Sequence, residues 1–167
     1  MQAQQLIGGN FCLAKAGLTG LSGAATTFTI ASAILYAIYG KALSKATVAG
    51  GATPTTDAVT GNAITLTAGK GTVVVWCLDA AGNVKAVQGS VETVAQDGNF
   101  QFAPPQFPAI PDTLTAFAYS VHKANPANHV TPFAGGTWTF GVSNWNVAGT
   151  VHTVADLIAL PNRPQAS

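Results

Sequence analysis

Apolar and polar residues alternate singly over many short stretches of this chain, which is the two-residue period of a strand with one covered face. Thr27-Phe28-Thr29-Ile30 alternates, and Ile34, Tyr36 and Ile38 continue the apolar set at even positions. Ile30, Ile34 and Ile38 also fit a helix at four-residue spacing, but β-branched and aromatic residues suit a pleated surface, so strands are favoured. The choice between sheet and helix stays open for residues 32–45. Ile64-Thr65-Leu66-Thr67 alternates next, and Gly69-Lys70-Gly71 forms a turn before the buried run Thr72 to Leu78. Asp79-Ala80-Ala81-Gly82-Asn83 then reads as a hairpin loop in which Gly82 takes positive φ. Val84 to Val94 returns as one or two strands. Asp97-Gly98-Asn99 is another turn, followed by Phe100-Gln101-Phe102 in alternation.

Leu114 to Lys123 alternates with Phe117, Tyr119 and Val121 on one face. Thr137 to Val142 and Thr150 to Ala155 alternate again, and Asp156 to Leu160 is a last strand or a single helical turn. Between these lie a loop over residues 125–136, with Pro126 and Pro132, and a Gly-, Ala- and Thr-rich stretch over residues 40–60, which reads as a long exposed loop. Four of the nine prolines fall between Ala103 and Pro111, so that segment is extended and must be a crossing piece or an edge. Residues 1–10, polar with three glutamines and then Gly8-Gly9, look like an arm. Short strands with a turn every ten or so residues, no long helix and no fixed repeat predict an all-β fold. The expected form is an antiparallel β-sandwich or jelly-roll-like barrel over residues 11–167 behind the arm.

Composition changes the picture in one respect. Charged residues make up 8% of the 167, where an average domain carries about 25%. The formal net charge is +1, and seven scattered cations cannot neutralise a row of phosphates, so nucleic acid is not expected as a partner. A neutral, Thr-rich coat keeps free protein apart poorly, and charge is depleted where surfaces are buried against each other. The composition therefore reads as that of a subunit of an assembly, the alternative being a monomer whose many exposed strands are coated with Thr and Asn. No membrane partner is expected either. The uncharged stretch from Ala16 to Gly40 is broken by four Thr, two Ser and four Gly, and no basic residue precedes Lys15 to start a signal peptide.

Candidate chemistry is sparse. Cys12 and Cys77 stand far apart with no metal or redox spacing, and Cys77 sits in an apolar run as a small hydrophobe. Glu92 is the only glutamate, while Asp79 and Asp97 lie in turns that already employ their side chains. His122, His129 and His152 share no ligand spacing, and His122 and His152 lie in alternating strands, where outward or interface rings are expected. No nucleophile elbow, dinucleotide fingerprint or P-loop is present. Neither a catalytic centre, a metal site nor a cofactor is expected. Trp138, Trp145, Phe140 and Tyr119 form either core and contact surface or an aromatic platform for a sugar.

The succession Phe107-Pro108-Ala109-Ile110-Pro111-Asp112, Leu114-Thr115-Ala116-Phe117-Ala118-Tyr119, Trp138 to Trp145 and Leu160-Pro161-Asn162-Arg163-Pro164-Gln165 resembles bacteriophage virion proteins of the auxiliary head type, the decoration or cement subunits. The resemblance covers residues 60–165 and its motifs are structural. It implies a non-enzymatic, homo-oligomeric subunit, a trimer by preference, made in the host cytoplasm and seated on the outer surface of the major capsid protein shell. Its shell or subunit contacts would come from the arm, at Gln2, Gln4, Gln5, Leu6 and Ile7, and from Phe107, Ile110, Trp138 and Trp145. The alternative is a tail or fibre module that binds host glycan through Trp138 and Trp145.

Overall fold

The computed structural model describes residues 9–157. Their strands are β1 (Phe11–Cys12), β2 (Leu18–Thr19), β3 (Thr27–Ile30), β4 (Ile34–Ile38), β5 (Lys41–Lys45), β6 (Val48–Ala52), β7 (Thr65–Leu66), β8 (Lys70–Asp79), β9 (Val84–Thr93), β10 (Leu114–Ala124), β11 (Trp138–Thr139) and β12 (Thr150–Asp156). The domain is all-β and its sheets are antiparallel. The largest has the order β12-β10-β8-β9, and β1-β4-β5, β2-β3-β6 and β11-β7 form three smaller ones. None of the four closes on itself.

The central strand β8 is buried on both faces, as its unbroken run of Val, Trp, Cys and Leu demands. Val74, Trp76 and Leu78 point into one cluster together with Phe28, Ile30, Ile34, Tyr36 and Ile38, so the two N-terminal three-stranded sheets cover that face. Val73, Val75 and Cys77 point the other way, with Tyr119 and Val121, into a second cluster capped by Phe100, Phe107 and Ile110. The proline-rich segment is the lid of that second face. It runs along β9, where the Ser90 N–H donates to the Gln106 carbonyl at 3.1 Å and the Gln106 N–H donates to Ser90 Oγ at 2.8 Å. It occupies an edge without joining the ladder, as a segment short of donors must.

Two turns set the registers. Between β4 and β5, Tyr39 and Gly40 have φ of 51° and 71°, and Ile38 pairs with Lys41 across them. Positive φ at both central residues is the type I′ geometry that matches strand twist. The Tyr39 N–H donates to Asn10 Oδ1 at 2.8 Å, and Asn10 Nδ2 donates to the Leu114 carbonyl at 3.0 Å, so Asn10 ties this hairpin to β10. Between β8 and β9, Asp79 Oδ1 accepts from the Ala81 and Asn83 N–H groups at 2.9 Å, and Gly82 has the expected positive φ of 78°.

Four expectations need correction. The expected loop over residues 40–60 contains β5 and β6, while residues 32–45 are sheet in agreement with the favoured reading. These are edge strands whose small side chains stand in solvent, so no apolar period marks them. Phe117 does not share a face with Tyr119 and Val121: the register of β10 against β8 slips between Ala116 and Ala118, and this bulge turns Phe117 into the first cluster. Phe100 makes one bridge to Val94 and no strand, while Phe102 is 86% exposed. The expected strand over Thr137–Val142 stops at Thr139, because Gly141 takes φ of 71° against the Pro54 carbonyl. No described residue bears on residues 1–8, and the end of the Asp156–Leu160 stretch also lies outside the described residues.

The lid's seating can be checked at Gly89. A Cβ there would stand 2.2 Å from the Gln106 carbonyl oxygen and 2.5 Å from Val73 Cγ1. We expect Gly89→Ala to lower unfolding free energy by about 1–3 kcal/mol, the range for overpacking, and to raise the protease sensitivity of residues 103–111; urea unfolding and limited proteolysis measure both.

Candidate functional site

The densest gathering of polar and aromatic chemistry lies at the β10–β12 seam. The antiparallel register puts His122 directly opposite His152. On the other side of β10, Ala118 pairs with Trp76 of β8, which carries the indole to Ser120. The turn after β11 brings in Trp145, whose N–H donates to the Thr27 carbonyl at 3.0 Å and so pins the turn to β3. Trp138 of β11 donates to the Asn144 carbonyl at 3.3 Å. The His122 ring lies nearly parallel to both Trp138, at 5.2 Å, and Trp145, at 5.9 Å between centroids. His152 stacks on Trp138 at 4.9 Å and meets Trp145 edge-on at 5.2 Å.

The hydrogen bonds through this cluster form one directed chain. The Trp76 indole can only donate, and it does so to Ser120 Oγ at 2.8 Å. At the far end, Thr150 Oγ1 donates to the Val147 carbonyl at 2.7 Å, so its oxygen accepts from His152 Nε2 at 3.1 Å. His152 Nδ1 is then an acceptor and takes the proton of His122 Nδ1 at 2.7 Å. His122 Nε2 in turn accepts from the Ser120 hydroxyl at 2.6 Å. With both rings neutral, this is the single assignment in which every group is satisfied. A proton added to either ring replaces an acceptor by a donor and breaks a link.

Burial enforces neutrality. His122 is fully enclosed, and burial pushes its pKa well below the ordinary histidine value, with the neighbouring His152 adding to the fall. Burial lowers His152 to about 4, against a smaller opposing pull from the Trp145 carbonyl. The expectation of an outward or interface ring is therefore wrong for His122, while His152, on the edge strand β12, is half-buried with its ring against Trp138 and Trp145. β10 is flanked by β8 and β12 and covered on each face, so neither of its alternating sets reaches solvent.

Ser120, His122 and His152 repeat the donor order of a nucleophile, its base and an orienting group. The arrangement offers no attack on a substrate. Ser120 is 0% exposed and its oxygen already accepts the Trp76 N–H, so what the network does is lock β8, β10 and β12 together. Among the described residues, no three His, Cys, Asp or Glu side chains converge to hold a metal ion. Cys12 and Cys77 are both enclosed, and burial raises both thiols, which removes thiolate reactivity.

The residues expected to make contacts are placed as follows. Gln2, Gln4, Gln5, Leu6 and Ile7 lie outside the described residues. Phe107 and Ile110 are half-buried over the second cluster, Phe107 edge-on to Tyr119 at 5.1 Å. Trp138 and Trp145 are 1% and 2% exposed, which removes both the contact surface and the sugar platform expected of them, because the rings pack on the histidines instead. Two open grooves exist elsewhere. One, of about 500 Å³, has Thr55, Thr56, Asp79, Lys85 and Thr113 in its lining; the other, of about 590 Å³, includes Lys70, Thr93 and Asp97. Asp79 and Asp97 are engaged in their own turns, as expected, and Asn99 bonds hold Asp97 below its ordinary range.

Sequence reasoning missed the solvent-facing apolar residues. Leu13, Leu35 and Tyr39 are 57%, 56% and 62% exposed, and Val130 and Val142 are also exposed. The alternation of β4 would have found Leu35 as the odd member between Ile34 and Tyr36. Compared with known proteins, the chain matches no family model, no curated protein and no solved structure.

The neutral histidine pair sets an acid limit. Below the ordinary histidine value of 6.5 the unfolded chain binds protons that the folded chain refuses, so stability falls with pH down to about 4. We expect a loss of about 3 kcal/mol from His152 alone across that window, at 1.36 kcal/mol per pKa unit. Urea unfolding at stepped pH should show the slope, and His152→Gln should make it shallower, leaving the contribution of buried His122, while costing stability at pH 7. A flat profile above pH 4 would contradict the directed chain.

Proposed function

We propose that this chain is a non-enzymatic structural subunit of a bacteriophage particle, a decoration or cement protein bound to the outer surface of the major capsid protein shell. The observation that carries this reading is the surface: 8% charged residues together with large apolar side chains left in solvent on several elements. Leu13 and Leu35 lie side by side there, since the Leu13 N–H donates to the Leu35 carbonyl. Such a coat is costly in water and suits a protein covered by sister copies and by a larger shell. The likeness of its C-terminal half to auxiliary head proteins gives the particle its identity in this proposal.

In the same reading the fold is a β-sandwich. One layer is the four-stranded sheet, and the other is formed by the two N-terminal three-stranded sheets that share its first hydrophobic cluster. The subunit assembles as a homo-oligomer, by preference a trimer, whose closed symmetry covers the neutral flanks. The arm threads between neighbours, and many weak contacts add up over the shell. The burial of Trp138 and Trp145 leaves the glycan-module alternative without its residues. No nucleic acid, membrane or cofactor enters the mechanism.

Two measurements test this. Purified protein should bind expanded empty heads to saturation and raise their melting temperature, as a ligand of the intact shell must; absence of binding overturns the proposal. Deletion of residues 1–8 should weaken attachment while preserving the circular dichroism spectrum and the melting temperature of the free subunit. That cut spares Asn10, whose side chain holds the Tyr39 turn and β10 together. Unchanged attachment would remove the arm from the mechanism.

A further inference from the structure

Among the described residues β5 is the outer strand of its sheet, with β4 on one side and no strand on the other. The phase of its hydrogen bonding follows from the Tyr39-Gly40 turn. In a two-residue hairpin the closing pair, here Ile38 and Lys41, is hydrogen-bonded, and bonded pairs then alternate. Leu43 and Lys45 therefore bond back to β4, while Ala42 and Ser44 turn their N–H and C=O groups outward. The other side of β4 agrees: Leu35, opposite Ser44, accepts the Leu13 N–H at 2.8 Å and so commits its main chain to the β1 side. No residue from 41 to 52 is buried, so the edge is open along its length.

The side chains around this edge have a definite chemistry. Lys41, Leu43 and Lys45 share one face, with Leu43 packed on the main core and the Lys45 stem against Gly82. Ala42 and Ser44 share the other face with exposed Leu35. Residues 1–56 contain Lys15, Lys41 and Lys45 and no acidic residue, so the sheet carries cations alone. Edge lysines act against self-pairing: two antiparallel β5 strands would set Lys41 against Lys45 twice, and like charges directly opposite repel. The same charges attract a strand of opposite sign.

We propose that β5 is a docking edge for an extended acidic strand of a partner protein, with carboxylates opposite Lys41 and Lys45 and an apolar side chain between them opposite Leu43. The main chain of Ala42 and Ser44 supplies the ladder bonds, and the lysine spacing supplies specificity, which is strand addition with charge selection. The required pattern is an acid, an apolar residue two places on, and a second acid four places from the first. A second copy does not provide it, because no two of the six acidic residues of this chain are four apart. The inference rests on edge geometry and stands apart from the shell reading.

The test uses the full chain and two capped peptides, TETVTET and TKTVTKT, each carrying a fluorophore. The acidic peptide should bind at least about ten-fold tighter at about 0.05 M salt, and the gap should shrink at about 0.5 M as the lysine charges are screened. Binding should slow amide exchange at Ala42 and Ser44. Ser44→Pro removes an outward N–H without touching the β4 pairing, a change edge strands tolerate, and should weaken the acidic peptide about ten-fold or more. The double variant Lys41→Glu, Lys45→Glu should transfer the preference to the lysine peptide, and it decides the question if Ser44→Pro does not fold. Equal affinity for the two peptides, no binding at millimolar peptide, or an unchanged preference after charge reversal would overturn the proposal; the lysines would then serve only to keep the edge unpaired.

Discussion

A buried polar group must find a partner or cost stability, and at the β10–β12 seam this protein meets that demand with a continuous run of hydrogen bonds. Trp76, Ser120, His122, His152 and Thr150 each give a proton to the next, and each after Trp76 accepts one from the group before it, ending on the Val147 carbonyl. The run crosses three strands of the main sheet at right angles to the chain. It also explains the tryptophans: Trp138 and Trp145 exclude water from the imidazoles, and each spends its own N–H on a backbone carbonyl. A polar network of this kind is directional where apolar contact is not. It specifies which residue of β10 faces which residue of β12, and so guards the register of a pair that a slip of one residue would invert.

Once that register is held, the two faces of the main sheet divide the remaining chain between them. One face takes the N-terminal hairpins, which bring Phe28, Ile30, Ile34 and Tyr36 onto Trp76 and Phe140. The other takes the proline-rich segment, whose few donors suit it to lie along β9 while Phe107 and Ile110 supply the apolar cover. The bulge at Phe117 belongs to this division. By shifting parity once, β10 offers Leu114 and Ala116 to the lid at one end and Tyr119 and Val121 further on, while Phe117 reinforces the opposite cluster.

Those parts of the fold were legible where one side chain in two meets a core. The β8–β9 hairpin with its Asp79 turn, the strand over Leu114–Lys123 and that over Thr150–Ala155 all stood in the pattern. β5 and β6 did not, since both lie at edges and present Ala, Ser and Gly to water, a composition that a loop shares. The histidines failed for the opposite reason. Polar residues at every second place ordinarily mark a wet face, and nothing local to Ser120 and His122 says that β12 and two tryptophans will close over them. That information resides in Trp138, Trp145 and His152, remote in the chain and joined to His122 only by the fold. The arm residues from Gln2 to Ile7 lie outside the described residues, so the fold does not speak to them.

The economy of charge follows from the same interior. A core that keeps two histidines neutral has no use for ions, and the few that exist are arranged at turns and rims: Asp79 and Asp97 bond their own loops, and Lys123, largely buried, extends over the Phe100 ring. With so few charges, those at the rim acquire weight. The strands of the β1-β4-β5 sheet themselves carry only lysines as ions, and these flank the outer backbone of β5. A surface otherwise neutral, carrying Leu13, Leu35 and Tyr39 in solvent, gains its selectivity from that pair of ammonium groups. Apolar contact sets how strongly such a face adheres, and the spacing of Lys41 and Lys45 sets what it adheres to.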